Sequence, residues 1–223
     1  MITRSKINGR IANDDCSRYS FTVSDTRIHT ADINYRGLSS CGFTATRVDV
    51  TGGQSMAWCG DGCTIKDSYL HSPLEDAAGA AANHAAHNST VRIAGSGAKL
   101  LHNTLWCEVK EYFQPDGQDS SGCSANQTAY SHDGAAPSNA LIEGNLYMPT
   151  TGGFCAYGGS TTGALSSVHD MVFRNNVFVR GTRKSDKGLY VCGYYGTATS
   201  FDSSRPGNRW ENNRFDDGTI VNP

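Results

Sequence analysis

The chain has 223 residues, a net charge of −2, only 18% charged residues and 25 glycines. A chain of this length is expected to form one domain, residues 1–223, with a sizeable core, and its composition suits tight turns better than long helices. The charge leaves no basic footprint for nucleic acid, and no apolar run approaches the roughly 18 residues of a membrane span.

In chain order, the first unit is Ile2-Thr3-Arg4-Ser5-Lys6-Ile7, two apolar ends around a polar pair. Near-copies follow at Val23-Ser24-Asp25-Thr26-Arg27-Ile28, at residues 45–50 in weaker form, and at Ile65-Lys66-Asp67-Ser68-Tyr69-Leu70. Residues 100–105 and 142–147 repeat it, and the clearest copies are Phe173-Arg174-Asn175-Asn176-Val177-Phe178 and Trp210-Glu211-Asn212-Asn213-Arg214-Phe215. The fourth position is Ser5, Thr26, Val48, Ser68, Asn103, Asn145, Asn176 and Asn213, at intervals of 21, 22, 20, 35, 42, 31 and 37 residues. A period in the low twenties with β-rich units marks a solenoid. The chain is therefore read as an all-β parallel β-helix of about eight coils, with long loop inserts where the intervals lengthen. Two short strands meet at each polar pair; asparagine tolerates the left-handed backbone there, and stacked amides can bond along the axis at roughly 4.8 Å. The competing fold is a β-sandwich with chance Asn pairs, which carries no fixed repeat of this kind.

The first apolar residues already belong to a coil, so Met1 is expected to be an expression start after a removed leader or upstream segment. An upstream cap over the first coil is expected for the same reason, since a bare sheet edge invites pairing.

Eight cysteines suit an oxidising compartment and a secreted protein. Cys59 and Cys63 would close a small loop, Cys107 and Cys123 bracket an insert, Cys155 and Cys192 occupy like places in successive coils, and Cys16 and Cys41 remain. The rival is a metal site on Cys59, Cys63 and nearby histidines, whose spacing matches no standard zinc pattern.

The first insert, from His71 to about Ser89, holds Glu75, Asp76, His84 and His87, with Arg92 just beyond; residues 77–86 are its one helical candidate. Inserts on a rigid scaffold are where chemistry concentrates, and histidine carries protons near neutral pH. The bland alternative is a solvated loop whose histidines bond only the backbone. The second insert, between Cys107 and Cys123, carries Asp116 and Asp119. Beyond it Asn126, Gln127 and Tyr130 are expected on a strand whose polar side chains meet a polyol, followed by His132. Residues 154–159 and 191–196, aligned on cysteine, put Tyr157 and Tyr194 in one column, a flat row suited to sugar rings; the alternative is tyrosine filling the core.

The corner motif, coil length and long inserts resemble right-handed parallel β-helix proteins of the pectate-lyase-like superfamily, closest to secreted, cysteine-containing actinobacterial members. The resemblance covers nearly the whole chain. It implies that His87 and Arg92 lie where a loop enters a strand of the cleft-forming sheet. That superfamily holds lyases, hydrolases, epimerases and inactive binders.

The expected function is degradation of a polysaccharide, with a lyase first. A uronate lyase needs a base (His84 or His87), a cation to offset the enolate charge (Arg92) and a donor to the leaving oxygen (Tyr130). Calcium is a possible cofactor, with Glu75, Asp76, Asp116 and Asp119 as its candidate ligands, though no calcium loop is legible. A glycoside hydrolase would instead pair Asp76 with Asp133, or Glu75 with Asp119. A carbohydrate-binding module would use the tyrosine column alone. No nucleic-acid or membrane partner is expected, and a monomer is.

Overall fold

The computed structural model describes residues 1–76, 78–79, 87–109, 112–113, 119–129, 136–150, 152–159, 168–181 and 192–223, leaving out the side chains of residues 112–113 and 119–121. All but two residues of the helical candidate at 77–86 therefore lie outside the description.

The described residues form an all-β structure of two sheets, one of 14 strands and one of 8. Among the described strands pairing is parallel except for Tyr112–Phe113 against Asp119–Ala129, and one isolated antiparallel bridge joins Arg214 to Ile220. The long sheet is creased. Two ten-residue strands, Phe21–Thr30 and Phe43–Gly52, run straight through the crease. Later units break there into two short strands, such as Thr64–Lys66 and Tyr69–His71, or Lys99–Leu101 and Thr104–Trp106. Each unit then sends one strand to the second sheet, where Arg36–Ser40, Ser55–Cys59, His87–Ile93, Asp119–Ala129, Phe154–Tyr157 and Gly196–Thr199 lie side by side.

Register stacks the apolar residues. Ile2, Val23, Ala45, Ile65, Leu100, Ile142, Phe173 and Trp210 form one column. Ile7, Ile28, Val50, Leu70, Leu105, Tyr147, Phe178 and Phe215 form a second. The second sheet supplies a third, in which Leu38, Ala57 and Val91 are fully buried. Each buried Ile, Leu or Phe contributes about 1.5–3 kcal/mol. One end of the core closes on Phe173, Phe178 and Trp210, whose indole Nε1 donates to the Val221 carbonyl at 2.7 Å. The terminal turn is tied by Asp217, whose carboxyl is held down at about 2 by hydrogen bonds from Thr219 and by Arg180.

The crease is held by side chains. Asn145 Oδ1 accepts from the main-chain N–H of Asn103 at 2.9 Å and from its amide at 3.0 Å, while Asn145 Nδ2 donates to the Leu100 carbonyl at 2.9 Å. Asn176 and Asn213 repeat the pattern on the next units. Ser68 extends it backwards by donating its N–H to Asn103 and accepting the Val48 N–H. All four asparagines are buried. The left-handed residue of the corner is the one before: Arg4, Asp25, Arg47, Asp67, His102, Gly144, Asn175 and Asn212 have φ of 50, 51, 51, 52, 54, 66, 55 and 51°. Asparagine takes that conformation at Asn175 and Asn212, as expected of the polar pair, whereas the asparagine that follows points inward to reach its neighbours. The strain, about 1–2 kcal/mol at each non-glycine corner, is offset by the buried hydrogen bonds.

All eight cysteines pair, as Cys16–Cys41, Cys59–Cys63, Cys107–Cys123 and Cys155–Cys192. The rival metal site on Cys59 and Cys63 is thereby excluded.

Asn145→Ala orphans the Asn103 N–H inside the core and removes a hydrogen bond from the Leu100 carbonyl. We expect it to cost about 2–4 kcal/mol in urea unfolding, whereas Asn212→Gly, at an exposed left-handed position, should change stability by less than about 1 kcal/mol. Equal effects would remove the side-chain ladder from its structural role.

Candidate functional site

The site is built on the second sheet, and a local irregularity in its strands decides which side chains face outward. Paired positions run Ser55, Ser89, Ala125, Phe154 and then Ala57, Val91, Gln127, Ala156, omitting Met56, Thr90, Asn126 and Cys155 between them. Those four omitted residues are fully buried, and so are Ala57, Val91, Gln127 and Ala156. Each strand thus turns two successive residues inward before its next residue faces out.

That irregularity corrects two expectations. Asn126 does not meet a ligand: its Oδ1 accepts from the Cys107 N–H and its Nδ2 donates to the Met148 carbonyl, both at 2.6 Å. It is a second buried tie between units. Gln127 sits in the apolar column between Val91 and Ala156, donates Nε2 to the Tyr157 carbonyl at 3.2 Å, and leaves Oε1 without a hydrogen-bond partner.

The outer row begins with Ser39, Trp58, Arg92 and Thr128 on adjacent strands. Arg92 lies near the Trp58 ring, 5.9 Å from its centroid, and Arg36 lies over the same ring at 4.8 Å. Arg92 Nε donates to Ser89 Oγ at 3.1 Å, its Nη2 donates to the His87 carbonyl, and Ser89 is 3.0 Å from Ser55. Arg36 donates to the Asn34 carbonyl and to Gln54, its Nε is buried without a partner, and burial pushes its guanidinium below the usual arginine range. Arg36 forms no ion pair among the described residues. Thr128 is 8% exposed, and its hydroxyl has no hydrogen-bond partner.

His87 opens its strand and is exposed. The next residue, Asn88, donates to the Leu74 carbonyl at 2.7 Å, which pins the first part of the insert beside the beginning of that strand. Glu75 and Asp76 follow Leu74 directly in the chain, and Asp76 accepts the Gly79 N–H at 2.9 Å. His84, Tyr130 and His132 lie outside the described residues, as do Asp116 and Asp133.

Tyr157 and Tyr194 do not share a column. Phe154 pairs with Gly196 and Tyr157 with Thr199, so Tyr194 precedes the strand that matches Tyr157. Aligning the segments on Cys155 and Cys192 misplaces the tyrosines, because the disulfide between these cysteines links a strand to the turn ahead of the next one. The rings are joined in another way. Phe154 packs edge-on to Tyr157 at 5.5 Å and lies 6.0 Å from Tyr195, which meets Tyr194 edge-on at 4.9 Å.

Sequence reasoning missed Trp58, Arg36 and Phe154. Their signal lay in alternation, as polar or aromatic residues beside buried ones in Ser55–Cys59 and its neighbours, but no shared motif links them. Among the described residues, no three His, Cys, Asp or Glu side chains converge to hold a metal ion.

Gln127→Met replaces an orphaned buried carbonyl with an apolar chain of similar size. We expect thermal unfolding to show stability unchanged within about 1 kcal/mol, or increased. A loss above about 2 kcal/mol would mean that the amide holds the face in place.

No protein-family model matches the chain, and no curated protein or solved structure matches it either.

Proposed function

We propose that the chain is a right-handed parallel β-helix of the pectate-lyase-like kind, with about eight coils in a single domain. On this proposal it is a secreted enzyme that cleaves a uronate-containing polysaccharide by β-elimination. The parallel register, the buried amide column and the four disulfides support the form and the export.

One observation carries the activity. The insert histidine His87, the arginine pair around Trp58 and the aromatic cluster at Tyr157 all belong to strands of one sheet, and Arg92 joins the first two through the His87 carbonyl. In this mechanism His87 takes the proton from the carbon beside the carboxylate. The electron pair becomes a carbon–carbon double bond as the bond to the departing sugar oxygen breaks, and that oxygen takes a proton from Tyr130 or water. Arg36 and Arg92 offset the negative charge that gathers on the carboxylate. Tyr157 and Tyr194 hold neighbouring sugar rings. Were calcium needed, Glu75 and Asp76 in the insert that leads to His87 would supply oxygen ligands of the kind it prefers.

A non-catalytic glycan binder is the second reading, favoured by the linked rings of Tyr157, Phe154, Tyr195 and Tyr194.

The test is incubation with a panel of uronate polymers, followed by ultraviolet absorbance of unsaturated products. The lyase is expected to produce that absorbance, and His87→Ala to slow it by about 10²–10⁴-fold with the circular dichroism unchanged. New reducing ends without absorbance would replace the lyase with a hydrolase, and binding without either signal would leave the module. Full activity in His87→Ala would remove that histidine from the mechanism.

A further inference from the structure

A groove lies away from the sheet just described, outside the crease of the long sheet. It has a volume of about 650 Å³ and is lined by residues of four successive units: Asp25 and Arg27, Arg47 and Asp49, Asp67 and Tyr69, His102 and Thr104. One wall is the ridge of left-handed corner residues, which no ordinary strand would present to solvent. The other is the first outward column of the following strands, in which Arg27, Asp49, Tyr69 and Thr104 are in register. With strands about 4.8 Å apart, the four units span about 14 Å, so the groove accepts a short chain laid along the strand-stacking direction.

The charges in this groove cancel locally. Asp25 holds Arg47 through two hydrogen bonds of 2.7 and 2.8 Å. Asp49 holds Arg27 at 2.9 Å and His71 at 3.0 Å. Asp67 lies 3.6 Å from both Lys66 and His102. An ionic ligand would have to break these pairs, whereas a hydroxyl can bond to them as they stand, because each pair fixes its partner's direction. The pairs also divide donors and acceptors at close spacing, which suits vicinal hydroxyl groups.

The groove also has a rigid ring. Tyr69 stacks on His71 with centroids 3.8 Å apart and an interplanar angle of 14°. His71 is itself fixed at both nitrogens, by Asp49 at 3.0 Å and by Ser72 at 2.8 Å. Tyr69 therefore reaches the groove already oriented, with little rotamer freedom left to lose on binding. An aromatic platform beside fixed polar groups in a site of this size is a sugar-binding chemistry.

We propose that this groove binds a neutral oligosaccharide, as a site separate from the outer face of the second sheet. It does not depend on the uronate-cleaving activity. The probe is a panel of neutral cello-, xylo- and manno-oligosaccharides, titrated into the full chain by calorimetry at about 0.05 M and about 0.5 M salt. At least one should bind with an affinity that changes little with salt. Tyr69→Ala should weaken it at least about tenfold. Thr104→Trp, which obstructs the groove while leaving the Tyr69–His71 stack intact, should weaken it as well, and His87→Ala should not. Circular dichroism of each variant keeps loss of fold apart from loss of binding. The proposal is overturned if no panel member binds, if both groove variants bind like the parent, if affinity falls steeply with salt, or if His87→Ala abolishes binding.

Discussion

The buried hydrogen bonds between corner side chains are the constraint on which the rest of the structure depends. Each asparagine amide accepts from the unit before it and donates to a main-chain carbonyl of that same unit, so a slip of one residue at any corner would orphan several buried groups at once. The kind of side chain follows the length of chain it must close. Where corners recur every 20 to 22 residues, hydroxyls at Thr26 and Ser68 carry the contact between units, and Val48 contributes no side-chain hydrogen bond. Where the interval grows to between 31 and 42 residues, Asn103, Asn145, Asn176 and Asn213 carry it. A longer excursion costs more closure entropy, and a two-sided amide offsets more of it than a single hydroxyl.

The same constraint builds the two outer surfaces. Holding the ladder residue inside forces its predecessor into the left-handed region, and stacking those predecessors makes a charged ridge in which Asp25 grips Arg47 and Asp67 lies between Lys66 and His102. Register then carries to the second sheet, where Arg36, Trp58 and Arg92 come from three different units and meet only because their strands are aligned. The ridge cancels its own charges, while the Trp58 cluster gathers two guanidiniums around one indole. That difference is why a neutral chain is assigned to the first surface and an acidic one to the second.

The corners were legible because their pattern recurs in one short stretch per unit, and the cysteine pairs because two of them bracket loops, a third occupies like places in successive units and the fourth is what remains. Which member of each polar pair is left-handed was not legible: sequence shows two polar residues at each corner and does not say which turns inward. Asn126 and Gln127 look like outward polar residues on an alternating strand. The strand turns two successive residues inside, so Asn126 becomes a tie and Gln127 enters an apolar column. Tyr194 fell out of line because equal cysteine spacing does not fix register when the bond joins a strand to a turn. Trp58 and Arg36 were invisible as a pair, since 22 residues separate them and only tertiary stacking brings them together.

Hydrogen exchange at individual side-chain amides, followed by nuclear magnetic resonance, tests the ladder most directly. The amide protons of Asn103, Asn145, Asn176 and Asn213 should exchange among the slowest side-chain protons in the molecule, far behind those of Asn212, whose amide is exposed. Equal exchange of the buried set and Asn212 would contradict the stacked column, and with it both surfaces that the column aligns.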